Sequence, residues 1–305
     1  MSALQPIVVG LDFSEGSEVA LVRAADLAER LHASLHLLYA KAVAAPTYGG
    51  DGPEEGSTEH HVLDFAARSL GGAEALDVIG PTAVVRRSEA PADAIVRYAA
   101  DVEAGLVVVG THGRKGVSHL LAGSVAEEVI RRAPCPVLTV PNAAARTTPG
   151  PQAPVLVPVD FSDVNRDALA TARLIAEGYD APVDLVHVLG EPTSPTGLFG
   201  DALGLGTALD VVPGVSKDVE PRLRRLDAEV RGTAAARYHV REGRPAREIV
   251  ALAEELGAGL IVMATHGLTG WEHVLIGSVT EQTLRHAPCP VLSLRRGSDD
   301  EGPPA

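Results

Sequence analysis

Sulfur and aromatic side chains are scarce in this chain, with two cysteines, two methionines, one tryptophan and 3% aromatic residues among 305. A secreted scaffold stapled by disulfides needs more cysteine than that. Cys135 and Cys289 occupy the same place in two copies of one motif, and neither belongs to a C-x-x-C. Each therefore reads as a small buried residue, with a redox pair across a symmetric interface as the functional alternative. Basic residues are also short: 26 Lys and Arg against 40 Asp and Glu leave a formal charge of -14. No run of Lys or Arg offsets it, which argues against nucleic acid and anionic membrane as partners, since both require a basic face. No apolar run approaches the ~18 residues of a membrane span, and the opening MSALQPIVVGLDFS carries no basic n-region or cleavable apolar stretch. A cytoplasmic location is expected. Also missing is G-x4-G-K-S/T, so a P-loop with its phosphate-bound lysine has no support. No Ser-His-Asp grouping can be assigned from residue order.

What the chain does have is a repeat. GTHGRKGVSHLLAGSVAEEVIRRAPCPVLTV, residues 110–140, returns as ATHGLTGWEHVLIGSVTEQTLRHAPCPVLSL, residues 264–294, with about 17 of 31 positions identical and no gap. The 154-residue period is far longer than a solenoid unit, so it marks two complete globular domains in tandem. The expected division is domain one at 1–142, a linker at 143–153, domain two at 154–296 and a disordered tail at 297–305, the last two connecting stretches being rich in Pro, Gly and small polar residues.

Each copy alternates strand-like and helix-like segments. In copy one the strands are read at Pro6 to Leu11, Ser34 to Ala40, Thr82 to Arg87, Leu106 to Gly110 and Pro136 to Val140. Helices are read at Glu15 to Leu31, Glu59 to Leu70, from Pro91 and from Ser124, proline being well suited to a first helical turn. Copy two follows with strands near Pro154 to Val159, Val183 to Val188, Ala235 to Val240, Leu260 to Ala264 and Pro290 to Leu294. Alternation with right-handed crossovers predicts an α/β fold: a parallel sheet with helices on both faces, built twice.

The chemistry concentrates in a glycine loop of the form G-x2-G-x9-G-S, carried by Gly110, Gly113, Gly123 and Ser124. Gly110 ends a buried strand, Gly113 turns the chain with its backbone N–H groups exposed, and Gly123-Ser124 opens a helix whose positive end favours an anion. That arrangement suits a di- or triphosphate. Ser124-Val125-Ala126-Glu127 and Ser278-Val279-Thr280-Glu281 also fit a capping box, so the same residues admit a plainer reading as turn formers and helix caps. Strand one of each copy ends in a matching tripeptide, Asp12-Phe13-Ser14 and Asp160-Phe161-Ser162. In an open α/β sheet, ligands sit beyond the strand carboxyl ends where strand order reverses, so this carboxylate and the glycine loop would face one crevice. The alternative is that both aspartates cap the following helices.

Taken together, the D-x-S of strand one, the T-H-G, the G-x9-G-S and the A-P-C-P-V-L ending resemble a universal stress protein domain, and the chain resembles a tandem universal stress protein. That resemblance implies two Rossmann-like domains, each a five-stranded parallel sheet of order 3-2-1-4-5 with helices on both faces. It also implies ATP binding, with Mg²⁺ arriving with the nucleotide. Carried over residue by residue, Asp12 and the backbone at Ala40 border adenine and ribose, while Gly110, Gly113, Gly123, Ser124 and Val125, with Arg114 as a nearby cation, surround ribose and phosphates. The matching positions in copy two are Asp160, Val188, Ala264, Gly267, Gly277, Ser278 and Val279. Family members commonly dimerise through their last strands, which here implies an internal pseudo-dimer, a homodimer of two chains being left open.

The copies are unequal. Copy two has Ala264 in place of the first glycine and Leu268-Thr269 in place of Arg114-Lys115, and losing two cations beside a triphosphate weakens binding. Copy one has Glu89 where copy two has Gly243, in a turn that need not touch a ligand. His112, His266, His119 and His273 recur at matching positions and invite a metal or acid–base reading, but no Asp or Glu stands at ligand spacing. His60-His61 is read as lying in a polar loop, exposed and idle, and the long connection from Glu191 to Lys217 is either a cover for the crevice or partner, or a variable surface loop. The leading reading is an ATP-binding stress-response protein in which occupancy, rather than fast catalysis, is the output, because no residue is assigned to orient a water. The alternatives are a dimerisation scaffold that binds no nucleotide and a slow ATP hydrolase using Asp12 or His112.

Overall fold

The structure is a computed structural model that describes residues 4–42, 55–111, 123–141, 152–190, 216–230, 232–265 and 276–294. The chain divides into two compact units, 1–147 and 148–305.

In the first unit the strands are β1 (Ile7–Leu11), β2 (Leu35–Ala42), β3 (Thr82–Ser88), β4 (Leu106–Gly110) and β5 (Val137–Val140), all parallel in the order β3-β2-β1-β4-β5. Order reverses between β1 and β4, which pair with Val9 opposite Val108. The central strands are aliphatic because both faces are covered: Leu106, Val107, Val108 and Val109 are all buried, each worth about 1.5–3 kcal/mol of burial. Helices α1 (Glu15–Leu31), α2 (Glu55–Ser69) and α3 (Ala73–Ile79) pack as one layer, and α4 (Pro91–Asp101) and α5 (Ser124–Arg132) as the other. Helix α1 turns Val19, Ala20, Leu21, Ala24, Ala25, Leu27 and Ala28 to the sheet, a face at helical period. It stops at His32, whose left-handed backbone (φ 51°) returns its N–H to the Ala28 and Glu29 carbonyls. Helix α3 was not foreseen. Its seven residues include none that is buried, so it carries no periodic apolar face to announce it.

The second unit repeats the plan with β6 (Val155–Pro158), β7 (Val183–Leu189), β8 (Ala236–Glu242), β9 (Leu260–Ala264) and β10 (Val291–Leu294), in the order β8-β7-β6-β9-β10. Helices α6 (Val164–Gly178) and α7 (Ser216–Glu229) pack together on one side, α8 (Pro245–Leu256) and α9 (Ser278–His286) on the other. This unit carries charge in its interior. Asp184 on β7 is fully buried and receives both a bidentate Arg237 guanidinium (2.9 and 2.6 Å) and the Nε2–H of His239 (2.6 Å). Arg173 on α6 is buried against Asp227 of α7, whose other oxygen accepts the Tyr238 hydroxyl at 2.8 Å. Pairing is what makes such buried charge tolerable.

Among the described residues no helix is long and apolar enough to cross a membrane. Neither cysteine is in a disulfide: Cys289 is buried and Cys135 half-buried, and desolvation pushes the Cys135 thiol up to about 12, a hydrogen bond from the Val107 backbone pulling the other way.

Candidate functional site

The register that pairs β1 with both β2 and β4 decides which residues meet. Leu11 lies opposite Tyr39, and continuing the β1–β4 register from Val9 and Val108 puts Leu11 level with Gly110. Asp12 therefore leaves β1 level with Ala40 on one side and Thr111 on the other, at the crevice where strand order reverses. In copy two the same continuation sets Asp160 level with Val188 and Thr265.

The turn after strand one has an uncommon backbone. Phe13 and its counterpart Phe161 both adopt left-handed dihedrals, with φ 62° and 64°. A bulky side chain reaches that region only when its surroundings hold it there. The Phe13 ring packs on Tyr39 and Phe65, at 4.6 and 5.3 Å between centroids. The Phe161 ring packs on His187 at 4.8 Å and under the Arg222 guanidinium at 3.9 Å. Copy one thus surrounds this ring with aromatics and copy two with an imidazole and a cation. His187 donates its Nδ1–H to the Val159 carbonyl at 2.7 Å.

Neither aspartate caps a helix, which corrects that alternative. Ser14 is the N-cap of α1, its hydroxyl oxygen accepting from the Ser17 N–H. Asp12 Oδ1 accepts from the Ser14 backbone N–H at 3.1 Å and from the Ser14 hydroxyl at 2.5 Å, so the carboxylate braces the cap rather than forming it. In copy two the N-cap position is Asp163, and Asp160 Oδ1 accepts from Ser162 N–H at 2.9 Å and from the Asn165 amide at 2.8 Å.

The two ends of the glycine loop are fastened to each other. The Gly123 N–H bonds to the Thr111 carbonyl at 2.6 Å, and the Gly277 N–H to the Thr265 carbonyl at 2.9 Å. The threonines are themselves tied down, with Thr111 N–H on the Val140 carbonyl and Thr265 N–H on the Leu294 carbonyl, at 3.0 and 2.8 Å. A Cβ at Gly123 would stand 2.9 Å from the Thr111 oxygen, so glycine is required for the closure. At Gly110 a Cβ would come within 2.6 Å of the Gly16 carbonyl oxygen, meaning that β4 ends directly against the first turn of α1. Copy two has Ala264 at that position, where the residue matching Gly16 is Val164 and α6 begins there, one position later than α1.

The predicted capping boxes do not form. Gly123 and Gly277 take the N-cap positions, Glu127 and Glu281 return their N–H groups to those glycine carbonyls, and no side-chain cap is made. Ser124 and Ser278 are instead the first helical residues, exposed to solvent, with Val125 and Val279 half-buried behind them. The consequence favours an anion. An exposed serine stands at a helix start, where the first-turn N–H groups have no partner within the helix. Gly113, Arg114 and Gly267 lie outside the described residues, as do His112, His119, His266, His273 and the 191–215 part of the long connection. No group of three His, Cys, Asp or Glu side chains suited to a metal ion occurs among the described residues.

Sequence reading missed Asn165, Arg222 and the fastening role of Thr111 and Thr265. The threonines stand within the quoted T-H-G. Asn165 and Arg222 have no local signature, since their partners come into reach only once the turn after β6 and α7 are folded.

A family model described as the Universal stress protein family matches residues 3–141 and again 153–295. Universal stress protein Rv2623 of Mycobacterium tuberculosis is 30% identical over 308 residues, spanning 95% of this chain and 96% of its own. A crystal structure of a putative universal stress protein from Pseudomonas aeruginosa superimposes with a TM-score of 0.64 at 21% identity, covering 96% of this chain and 94% of the other. One domain is also similar, at 30% identity and a TM-score of 0.35, to a universal stress protein solved in complex with cAMP, over 46% of this chain and 99% of the other.

Proposed function

Because the chain belongs to the universal stress protein family, we propose that it binds ATP at the strand-end crevice of each unit and acts in stress response through nucleotide occupancy and protein contacts. The observation that carries this reading is the helix start at Ser124 and Ser278: glycine takes the cap and leaves the serine exposed as the first helical residue, after the strand next to the one that ends in Asp12 or Asp160. The residues fit the ligand. Gly123 and Gly277 let the loop ends close on the threonine carbonyls, where a Cβ would stand 2.9 and 3.0 Å from the oxygens, and the helix dipole adds positive potential at that point. Asp12 and Asp160, with the backbone at Ala40 and Val188, would hold the nucleoside. Gly110, Gly113, Gly123, Ser124 and Val125, and in copy two Ala264, Gly267, Gly277, Ser278 and Val279, would hold ribose and phosphates. Arg114 would add charge in copy one only, and Mg²⁺ would accompany the triphosphate. Binding of this kind stabilises a ligand without activating water, so any hydrolysis is slow.

The same proposal covers a cytoplasmic location and association of the two domains through their last strands as an internal pseudo-dimer, with a homodimer of chains above it. The test is equilibrium binding of labelled ATP, with cAMP as competitor, to Ser124→Asp and Ser278→Asp chains. A carboxylate among the first-turn N–H groups should abolish uptake one copy at a time. Unchanged uptake in both variants would remove the crevices as the binding sites and leave a scaffold.

A further inference from the structure

Arg222 is an exposed residue of α7 whose guanidinium lies 3.9 Å from the centre of the Phe161 ring. That ring belongs to the residue after Asp160, just past the carboxyl end of β6. Among the described residues Arg222 makes no hydrogen bond or ion pair, although the chain carries 40 acidic residues against 26 basic ones. The other arginines of this part of α7 behave differently. Arg224 also stacks on a ring, Tyr238 at 4.4 Å, but gives its Nε–H and Nη2–H to Glu220 at 3.1 and 2.7 Å, and Arg225 reaches Glu229 at 3.5 Å. Asp218 stands four residues before Arg222, at the spacing that joins Glu220 to Arg224, yet the Arg222 guanidinium lies on the ring instead. An aromatic face holds a cation without neutralising it, so the N–H donors of Arg222 stay available to an anion.

Copy one sets a buried phenylalanine, Phe65, against the matching Phe13 ring at 5.3 Å, so the cation at this place is particular to copy two. Copy two is also the one whose glycine loop carries Leu268-Thr269 where copy one has Arg114-Lys115. Beside the ring, the hydrogen bonds that Asp160 accepts from Ser162 and Asn165 both fall on Oδ1, and no ion pair joins it to Arg222 among the described residues. One turn therefore offers a carboxylate oxygen to a ligand hydroxyl and a guanidinium to a ligand phosphate. We propose that Arg222 is the phosphate-binding cation of the copy-two crevice, held by the Phe161 ring and supplying from α7 the charge that the copy-two loop lacks. This rests on the reading of that crevice as a nucleotide site. The two copies then draw positive charge from different elements, the loop in copy one and a helix in copy two.

Binding of Mg²⁺-ATP and of adenosine to the full chain, in a Ser124→Asp background that leaves only copy two open, tests this. Arg222→Met keeps an unbranched apolar cover on the Phe161 ring and removes the charge. It should weaken ATP binding about tenfold, the worth of one charge-assisted hydrogen bond. Adenosine, which has no phosphate, should bind as it does to the parent, and the fall of ATP affinity with added salt should become less steep. Should the Met variant not fold, Arg222→Gln takes its place with the same three expectations. An unchanged ATP affinity would show that Arg222 touches no phosphate, and an equal loss of ATP and adenosine would show that it acts only by packing on the turn. Either result overturns the proposal and leaves the nucleotide reading standing. No uptake of ATP at copy two by the Ser124→Asp parent would remove the nucleotide reading of that crevice and this inference with it.

Discussion

One methyl group separates Gly110 from its counterpart Ala264, and its cost depends on what stands opposite. Gly16 presents backbone at 2.6 Å from the Gly110 Cβ position, and backbone cannot rotate away. Gly110→Ala should therefore displace the first turn of α1 and lower stability by about 1–3 kcal/mol in urea unfolding; an unchanged midpoint would show that the contact gives way easily. Cys135 illustrates the reverse case, where burial silences chemistry. With its thiol pushed up to about 12, it stays protonated at pH 8, and reaction with a disulfide reagent should run about three orders of magnitude slower than for an ordinary thiol. Because the folded value lies above the unfolded one, its contribution to stability is full below the ordinary thiol range and is lost as pH rises through about 12. Reaction at the rate of a free thiol in the native protein would contradict this. Cys289 was legible as a buried residue, whereas Cys135 at the matched position is half-buried. Asn165 was not legible, because the groups it binds become neighbours only after the turn has folded.

At the scale of elements, the strands were legible because burial on both faces leaves uninterrupted aliphatic runs such as LVVVG in β4 and LIVMA in β9. The starts of α5 and α9 misled because Ser-x-x-Glu fits a capping box equally well one residue further in, and only the coordinates reveal that the preceding glycine takes the cap. Helix α3 escaped notice for lack of a buried face. The clasp between α6, α7 and β8 depends on paired charge. Arg173 and Asp227 have side chains only 6% and 14% exposed, and the Arg173 Nη1–H also holds the Ala234 carbonyl at 3.2 Å. Asp227→Ala strands the guanidinium and frees the Tyr238 hydroxyl, so unfolding stability should fall by about 3–5 kcal/mol. A loss below about 1 kcal/mol would mean that solvent reaches the arginine and replaces the lost partner.

The whole chain is one fold written twice and then made unequal. Both units keep the reversed strand order, the left-handed phenylalanine, the fastened loop ends and the exposed first-turn serine. Copy one alone has Arg114-Lys115 in its loop, and copy two alone has the Asn165 clasp and the Arg222 stack. Exchanging Arg114-Lys115 for Leu-Thr should weaken ATP binding at copy one by tenfold or more, each lost charge-assisted hydrogen bond to phosphate being worth about 1.5–3 kcal/mol. A titration showing no change would place the phosphates away from that part of the loop. The central claim, that these crevices hold a nucleotide, is tested most directly by denaturing protein purified without added ligand and identifying and counting what it releases, followed by titration of the emptied, refolded chain with Mg²⁺-ATP. The account predicts an adenine nucleotide at one to two per chain, or saturable uptake with copy one the tighter site. No released nucleotide and no uptake at millimolar ATP would contradict it.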